Sequence, residues 1–304
     1  MAAPVLLACD WGNTHLRAWT LDRRGRVLAH RAFDLGVLRL VSGEAARLFE
    51  IVVRPALEAE RLPAILCGGI GSNIGWRTVD YVDCPATIAA VARSLESVGD
   101  GGAPVWIVPG LRGPGLAGGV DVLRGEETQV FGWLERDPSR RSGSRVICHP
   151  GTHGKWMLVE DGQIVRFVSF MTGELFAELT QHSVLKSTAP ADDMAAFDHG
   201  LAAAGDGGAL AARLFSTRAR VVGQGEPART MPSYLSGVLI GAEAAAAPQA
   251  LGVDPAGPVV LLGEPELCSL YRRALERRGL QVSVHDGGEA AVAGIWALRR
   301  LSKG

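Results

Sequence analysis

The feature that most restricts how this chain can fold is a pattern that occurs twice without a gap. Apolar Val5-Leu6-Leu7-Ala8 runs into Cys9-Asp10-Trp11, a small turn Gly12-Asn13-Thr14, a second apolar segment Leu16 to Leu21, a turn at Asp22-Arg23-Arg24-Gly25 and a third segment from Val27. Later, Arg145-Val146-Ile147-Cys148 leads to Gly151-Thr152-His153-Gly154, then Trp156 to Val159, Asp161-Gly162 and Ile164 to Phe170. Cys9 and Cys148, Gly12 and Gly151, and Asp22 and Asp161 are each 139 positions apart. Short apolar runs bounded by Gly, Asn and Asp read as strands joined by tight turns. Any hairpin needs a small polar turn. Two equal strand–turn–strand units in one register point further, to two related half-molecules whose Gly/Thr turns face one cleft. Such turns offer backbone N–H groups and hydroxyls to an anion with no bulky side chain in the way.

The rest of the chain alternates strands and helices. Gly43 to Ala59 is helical in spacing, with a kink or split at Pro55. Pro63 to Gly68 reads as a strand ending in Gly68-Gly69-Ile70-Gly71, Thr87 to Leu95 as a helix and Val105 to Val108 as a strand. Glu126 to Leu134 is a helix opened by two acids, which suit the positive end of its dipole. Helices follow at Gly173 to Leu185, at Ala189 to Leu214 with a break at Gly205-Asp206-Gly207-Gly208, and at Pro232 to Ala246. In the last of these, Gly237 and Gly241 permit a close approach to a neighbour. Strands at Pro258–Leu262 and Gln281–His285 alternate with helices at Pro265–Arg278 and Ala290–Leu301. A meander followed by strand–helix alternation, twice over, predicts an α/β protein of two similar lobes. A length of 304 residues suits two domains. The Gly/Pro-rich stretch Arg112 to Gly119 is the expected hinge, which divides the chain into 1–118 and 119–304.

A formal net charge of −1 argues against a general nucleic-acid binder. Five scattered cysteines form neither a disulfide framework nor a CxxC metal pattern, so reduced thiols in the cytoplasm are expected. The first residues carry no basic n-region, and the longest Ala-rich run, Ala242 to Ala250, is too short to span a bilayer. Neither a signal peptide nor a membrane partner is expected.

Five segments have the residues for chemistry. Asp10, at the end of the first strand, can hold Mg²⁺ beside the Gly12-Asn13-Thr14 turn, a reading preferred to capping of its own turn. Glu126 and Glu127 either complement the helix dipole, the simpler reading of the residues alone, or supply a general base for a hydroxyl. In Pro150-Gly151-Thr152-His153-Gly154-Lys155, Thr152 and nearby N–H groups can contact phosphate and Lys155 can neutralise charge. The alternative is a hairpin turn with a solvated Lys. This is no Walker A motif, because a strand follows Lys155. Gly69-Ile70-Gly71-Ser72-Asn73-Ile74-Gly75 has the wrong spacing for a dinucleotide loop and better suits a sugar-lining turn, with Trp76 beside it. Gly263, before a helix, can seat adenine or ribose. His149 and His153 are separated by Pro150-Gly151, which prevents a shared helical face, so no zinc site is proposed.

Several segments together resemble the 2-dehydro-3-deoxygalactonokinases, sugar-acid kinases of the sugar kinase/Hsp70/actin superfamily. They are Asp10 to Trp19, Gly71-Ser72-Asn73-Ile74-Gly75-Trp76 with Tyr81 and Cys84-Pro85-Ala86, Arg124-Gly125-Glu126-Glu127-Thr128-Gln129-Val130-Phe131-Gly132, Pro150 to Trp156, Phe170-Met171-Thr172-Gly173-Glu174-Leu175-Phe176, His182 to Leu185, Ser233 to Gly237, and Leu262-Gly263-Glu264-Pro265 with Leu270-Tyr271. The resemblance implies two RNase H-like (actin-like ATPase) lobes, the N-terminal one for sugar acid and phosphate and the C-terminal one for nucleotide. It implies transfer of the ATP γ-phosphate to the 6-hydroxyl of 2-dehydro-3-deoxy-D-galactonate, in galactonate catabolism. Gly12-Asn13-Thr14 and Gly151-Thr152, with His153 and Lys155, would meet phosphate. Asp10 would serve Mg²⁺ and catalysis, Gly263 would serve adenosine, and Glu126 would be the base unless a one-residue shift gives that role to Glu127. Gly71, Ser72, Asn73, Trp76 and Glu127 would line the substrate. Its carboxylate would be held by one of Arg17, Arg77, Arg112 or Lys155, each in or beside a glycine turn. Gly69 and Asn73-Ile74 depart from other members of the family, and this bears on substrate identity. Rival readings are another sugar-acid or pantothenate-type kinase, or an actin-like protein without catalysis. Oligomeric state, a homodimer included, stays open.

Overall fold

A computed structural model describes residues 2–99, 102–206, 208–253 and 257–302, with only the backbone at 117. The chain forms two compact units, Met1–Ser144 with Val159–Arg166 and Asp286–Gly304, and Arg145–Leu158 with Phe167–His285.

In the first unit, β1 (Leu6–Trp11), β2 (Leu16–Leu21) and β3 (Val27–Phe33) form an antiparallel meander. β4 (Ala64–Cys67) lies parallel to β1, and β7 (Val105–Ile107) parallel to β4. With β6 (Glu96–Ser97) at the edge, the order is β3-β2-β1-β4-β7-β6. β1 and β4 are buried along their whole length, as expected of unbroken apolar runs in a covered sheet. β3 is an exposed edge strand, and its His30 and Arg31 make it a poor template for further pairing.

The second sheet contains β10 (Ser144–His149), β11 (Gly154–Glu160), β12 (Gln163–Phe170), β13 (Val259–Gly263) and β14 (Val282–Asp286), ordered β12-β11-β10-β13-β14. Meander, central strand and parallel neighbour repeat the first sheet place for place. The 139-residue repeat is therefore a repeat of RNase H-like lobes, and the fold is the two-lobed actin-like α/β architecture. The hairpin tip 159–166 counts with the first unit, where Ile164 bridges Ala86.

Helices complete each unit. In the first, α3 (Glu126–Glu135) packs against α9 (Gly287–Leu301). A Cβ on Gly132 would lie 1.9 Å from the Ala290 carbonyl oxygen, and one on Gly294 would lie 2.0 Å from that of Thr128. α9 is capped by the Asp286 carboxylate, which accepts from Glu289 N–H, and it returns the C-terminus to the first unit. In the second, α5 (Met194–Ala204) packs against the long buried α7 (Met231–Leu251). Gly237 and Gly241 meet α5 there, as their spacing predicts. α4 (Thr172–His182), α6 (Leu210–Gln224) and α8 (Pro265–Arg277) surround this pair.

Three expectations need correction. The helix over 43–59 is cut into α1 (Ala45–Leu48), a π-turn Phe49–Val53 and a 3₁₀ turn Pro55–Leu57. Pro55 cannot donate, and buried Arg54 serves the carbonyls of Ala59 and Leu62 instead. The stretch 112–119 is no bare hinge. β8 (Gly110–Pro114) and β9 (Val120–Leu123) form a hairpin closed by Gly115 N–H to Gly119, and β8 pairs with β5 (Tyr81–Asp83). It lies inside the first unit, which runs on to Ser144. Finally, the helical region after Ala189 is two helices that end at Gln224, not Leu214; Gly207 in the break lies outside the described residues. The short helix at 88–93, α2, is capped by Thr87 as expected.

Candidate active site

In the first unit the chemistry gathers at the C-terminal ends of β1 and β4. The antiparallel register sets Asp10 opposite Arg17, and the parallel one sets it beside Cys67. Arg17 Nη2 donates to Asp10 Oδ2 at 2.7 Å, and Gln129 Nε2, from α3, approaches the same oxygen at 3.3 Å. Asp10 is 7% exposed. Oδ1 faces the Cys67 thiol at 3.8 Å and the backbone of Gly68, where a Cβ would come within 3.3 Å. A Cβ on Gly125 would in turn stand 3.0 Å from the Gly68 Cα, so the start of α3 abuts the end of β4 next to Asp10. Gly125 has φ 111°, a bend that an L side chain resists. It aims two acids differently. Glu127 is fully buried, and its carboxylate accepts from Gly125 N–H at 2.7 Å and from the Thr128 hydroxyl at 2.8 Å. Burial, helped by the Glu126 charge, raises its pKa to about 7. Glu126 is only half-buried and accepts from Arg124 N–H at 2.9 Å.

The Gly12-Asn13-Thr14 turn is held from below: Val37 N–H reaches Gly12 and Leu38 N–H reaches Asn13. The Asn13 amide oxygen faces Gly69, where a Cβ would fall 2.7 Å away, so this turn and the Gly69–Gly71 turn are neighbours. Ser72 follows, with its hydroxyl buried. Asn73 is exposed, and the Trp76 ring packs on Phe49 at 5.5 Å between centroids. Two predicted basic residues point to other acids. Arg77 meets Glu96 at 3.7 Å, and Arg112 makes a two-point contact with Asp83, whose pKa falls through that hydrogen bond.

In the second unit the Gly151-Thr152-His153 turn joins β10 to β11. The start of α4 closes on it, with Glu174 N–H donating to the Thr152 carbonyl at 2.9 Å and the Glu174 carboxylate meeting His153 Nε2 at 2.5 Å. Lys155 is 7% exposed, with Nζ 2.6 Å from the Ser169 hydroxyl, so it is not a solvated lysine. Behind the turn sits Glu243, 3% exposed, accepting from Trp156 Nε1 at 2.8 Å and from the Tyr271 hydroxyl at 2.7 Å. Its pKa is raised by burial. Gly263 lies beside Pro150, whose carbonyl oxygen would be 3.6 Å from a Cβ there. A cavity of about 180 Å³, lined by Gly151, Gly173, Phe176, Leu239, Leu267 and Tyr271, opens next to the turn.

The structure thus brings Asp10, Arg17, Glu127 and the glycine turns together in the first unit, and Gly151, Thr152, His153 and Gly263 in the second. The 2-keto-3-deoxy-galactonokinase family profile matches residues 10–298. A protein of Rhizobium meliloti described as a probable 2-dehydro-3-deoxygalactonokinase is 35% identical over 304 residues, covering 96% of each chain. The 2-dehydro-3-deoxygalactonokinase of Escherichia coli is 34% identical over 291 residues, covering 95% of each. The chain belongs to the 2-keto-3-deoxy-galactonokinase family. A crystal structure from Sinorhizobium meliloti assigned the same enzyme name superposes with TM-score 0.84 at 34% identity, covering 97% of this chain and 98% of that one.

In this galactonokinase-family chain the Arg-Gly-Glu-Glu-Thr-Gln run is the loop and first turn of α3. Its Gln129, three residues after Glu126, faces Asp10, and nothing in the sequence distinguishes it from a surface glutamine. Glu243 sits in an Ala-rich helix, and only its being a lone acid among apolar residues marks it. The five cysteines are free thiols; Cys84 is half-buried and the others are buried. Among the described residues no group of three or more His, Cys, Asp or Glu gathers as a metal site, and no helix is long and apolar enough to cross a membrane.

Proposed function

We propose that the chain is an ATP-dependent carbohydrate kinase that phosphorylates 2-dehydro-3-deoxy-D-galactonate at its 6-hydroxyl, in the cytoplasm, as a step of galactonate breakdown. The family membership supports the reaction. The observation that carries the reading is the convergence of Asp10 with the acidic start of α3 around Gly68.

The first unit would take the sugar acid and the second the nucleotide. Glu126 is the better base. Its carboxylate is partly open, whereas that of Glu127 is covered and committed to Gly125 and Thr128. The 6-hydroxyl gives its proton to Glu126 as its oxygen forms a bond to the γ-phosphorus, and the bridging P–O bond to the β-phosphate breaks, releasing ADP. One carboxylate oxygen of Asp10 is left to a thiol and a glycine backbone, a donor set that fits a Mg²⁺ ion held mainly by phosphate and water. Bound there, Mg²⁺ would neutralise phosphate charge. Gly12-Asn13-Thr14 would hold phosphate oxygens, and so would Gly151-Thr152, with His153 fixed by Glu174. The apolar cavity beside Gly151 and Gly263 suits a flat heterocycle such as adenine.

The test is ATP consumption, coupled to ADP detection, over a panel of 2-keto-3-deoxy sugar acids, pantothenate and neutral hexoses. Turnover confined to the sugar acids supports the reading. Preference for pantothenate or a hexose overturns it.

A further inference from the structure

We propose that Arg124 is the residue that recognises the substrate's carboxylate. The inference rests on the sugar-acid reading above and replaces the four basic residues that the sequence suggested. Arg17, Arg77 and Arg112 each hold a carboxylate of the chain itself. Lys155 lies in the second unit against Ser169. Arg124 differs. It occupies the first position of Arg-Gly-Glu-Glu-Thr-Gln, two residues before Glu126. Its guanidinium lies over the Tyr81 ring at 4.4 Å, and Nη2 donates to the Val79 carbonyl at 2.6 Å. Those two contacts fix the plane of the group. Nε and Nη1 are buried, and no described residue accepts from either; no described carboxylate pairs with Arg124.

A guanidinium keeps its charge at any ordinary pH, so these are donors of a permanent cation. Buried donors without acceptors are rare and call for a partner. The partner must be an acceptor, and for a cation an anion is the best one. Nε and Nη1 point to different sides of the guanidinium, so a carboxylate accepts from Nη1 alone or from Nη1 and the second N–H of Nη2 in parallel, a contact for which Arg is better shaped than Lys. The surroundings fit a small polar ligand. Gly71 stands against Nη1, where a Cβ would come within 2.8 Å. The hydroxyl of the next residue, Ser72, is likewise buried without an acceptor or donor among the described residues. The carboxylate reaches the guanidinium as the single 3₁₀ turn Gly69–Gly71 yields, and Ser72 supplies a further donor. The acid end of the substrate is then read by the same loop that carries the base.

The experiment compares wild type, R124Q, R124K and G71A on the sugar acid and on its C1 amide, with ATP. In R124Q the KM for the acid should rise about 30-fold, the amount expected for a lost charge-assisted pair, while the ATP KM stays within about twofold. The preference for acid over amide should vanish. R124K should fall between, and G71A should raise the acid KM by pressing a methyl group onto Nη1. If R124Q is unfolded by circular dichroism, R124K carries the same comparison. An acid KM and an acid/amide ratio unchanged from wild type in R124Q, or in R124K if only that variant folds, overturn the assignment. A second measurement separates this from the reaction itself: thermal shift with 2-keto-3-deoxy sugar acids and no ATP. If wild type turns over none of the acids but is stabilised by one, and R124Q is not, the kinase reading fails and Arg124 stands. If no acid stabilises wild type or serves as its substrate, both fail.

Discussion

Replacing Glu127 with Gln removes a carboxyl that folding holds in its neutral form. In the native chain Glu127 is fully covered, and burial, with the Glu126 charge second, lifts its pKa from 4.5 to about 7. The sign follows from linkage. Below about pH 4 the group is protonated in both states and contributes nothing pH-dependent. As pH rises past 4.5 the unfolded chain ionises while the folded chain cannot, so stability falls until the native group ionises near 7. At about 1.36 kcal/mol per pH unit the interval costs about 3 kcal/mol. E127Q lacks the titration. Its amide oxygen can still accept from Gly125 N–H, and the Thr128 hydroxyl can turn to accept from its NH₂, so the local geometry survives. Urea unfolding of both proteins from pH 4.5 to 8 gives the difference at each pH, in which the other titrating groups cancel. The advantage of E127Q over wild type should grow by about 3 kcal/mol across that range and level off above pH 7. A difference that is flat with pH would show that burial does not raise the Glu127 pKa and would refute the reasoning.

Other outcomes follow from the same geometry. D10N should lower kcat on the order of 10²-fold or more with an unchanged circular dichroism spectrum, because Asn still meets Gln129 but is a poor partner for a cation; near-normal turnover with normal Mg²⁺ dependence would refute the assignment. E126Q should reduce kcat by about 10²–10⁴-fold with little change in ATP KM, and the same profile in E127Q instead would move the base by one residue. G132A sets a methyl group 1.9 Å from the Ala290 carbonyl oxygen and should destabilise by about 2 kcal/mol or more in chemical denaturation, unless α3 and α9 can separate without loss. G154A brings a Cβ to 2.4 Å from the Glu243 carboxylate and should raise the ATP KM along with lowering the melting temperature; an ATP KM equal to wild type would disconnect Glu243 from the turn it backs.

The sequence by itself determined the doubled β-meander, the turns at Gly12 and Gly151 and the acid-led start of α3. Each rests on neighbours within a few residues: apolar runs, a glycine, a carboxylate at a helix end. The near-identical strand orders of the two sheets follow from that repeat. Where an outcome depended on residues far apart in the chain, only the tertiary structure decided it. Pairing β1 with β2 turned Arg17 from a free basic residue into the partner of Asp10, and packing α3 on α9 assigned the C-terminus to the first unit and brought Gln129 to the same carboxylate. The glycine- and proline-rich stretch at 112–119 has the composition of a hinge, yet the backbone hydrogen bonds it finds with its neighbours make it a hairpin. Arg124 lay within a motif that was already visible. What sets it apart, two buried donors with no acceptor among the described residues, is a property of what surrounds it, and no local pattern of residues records that.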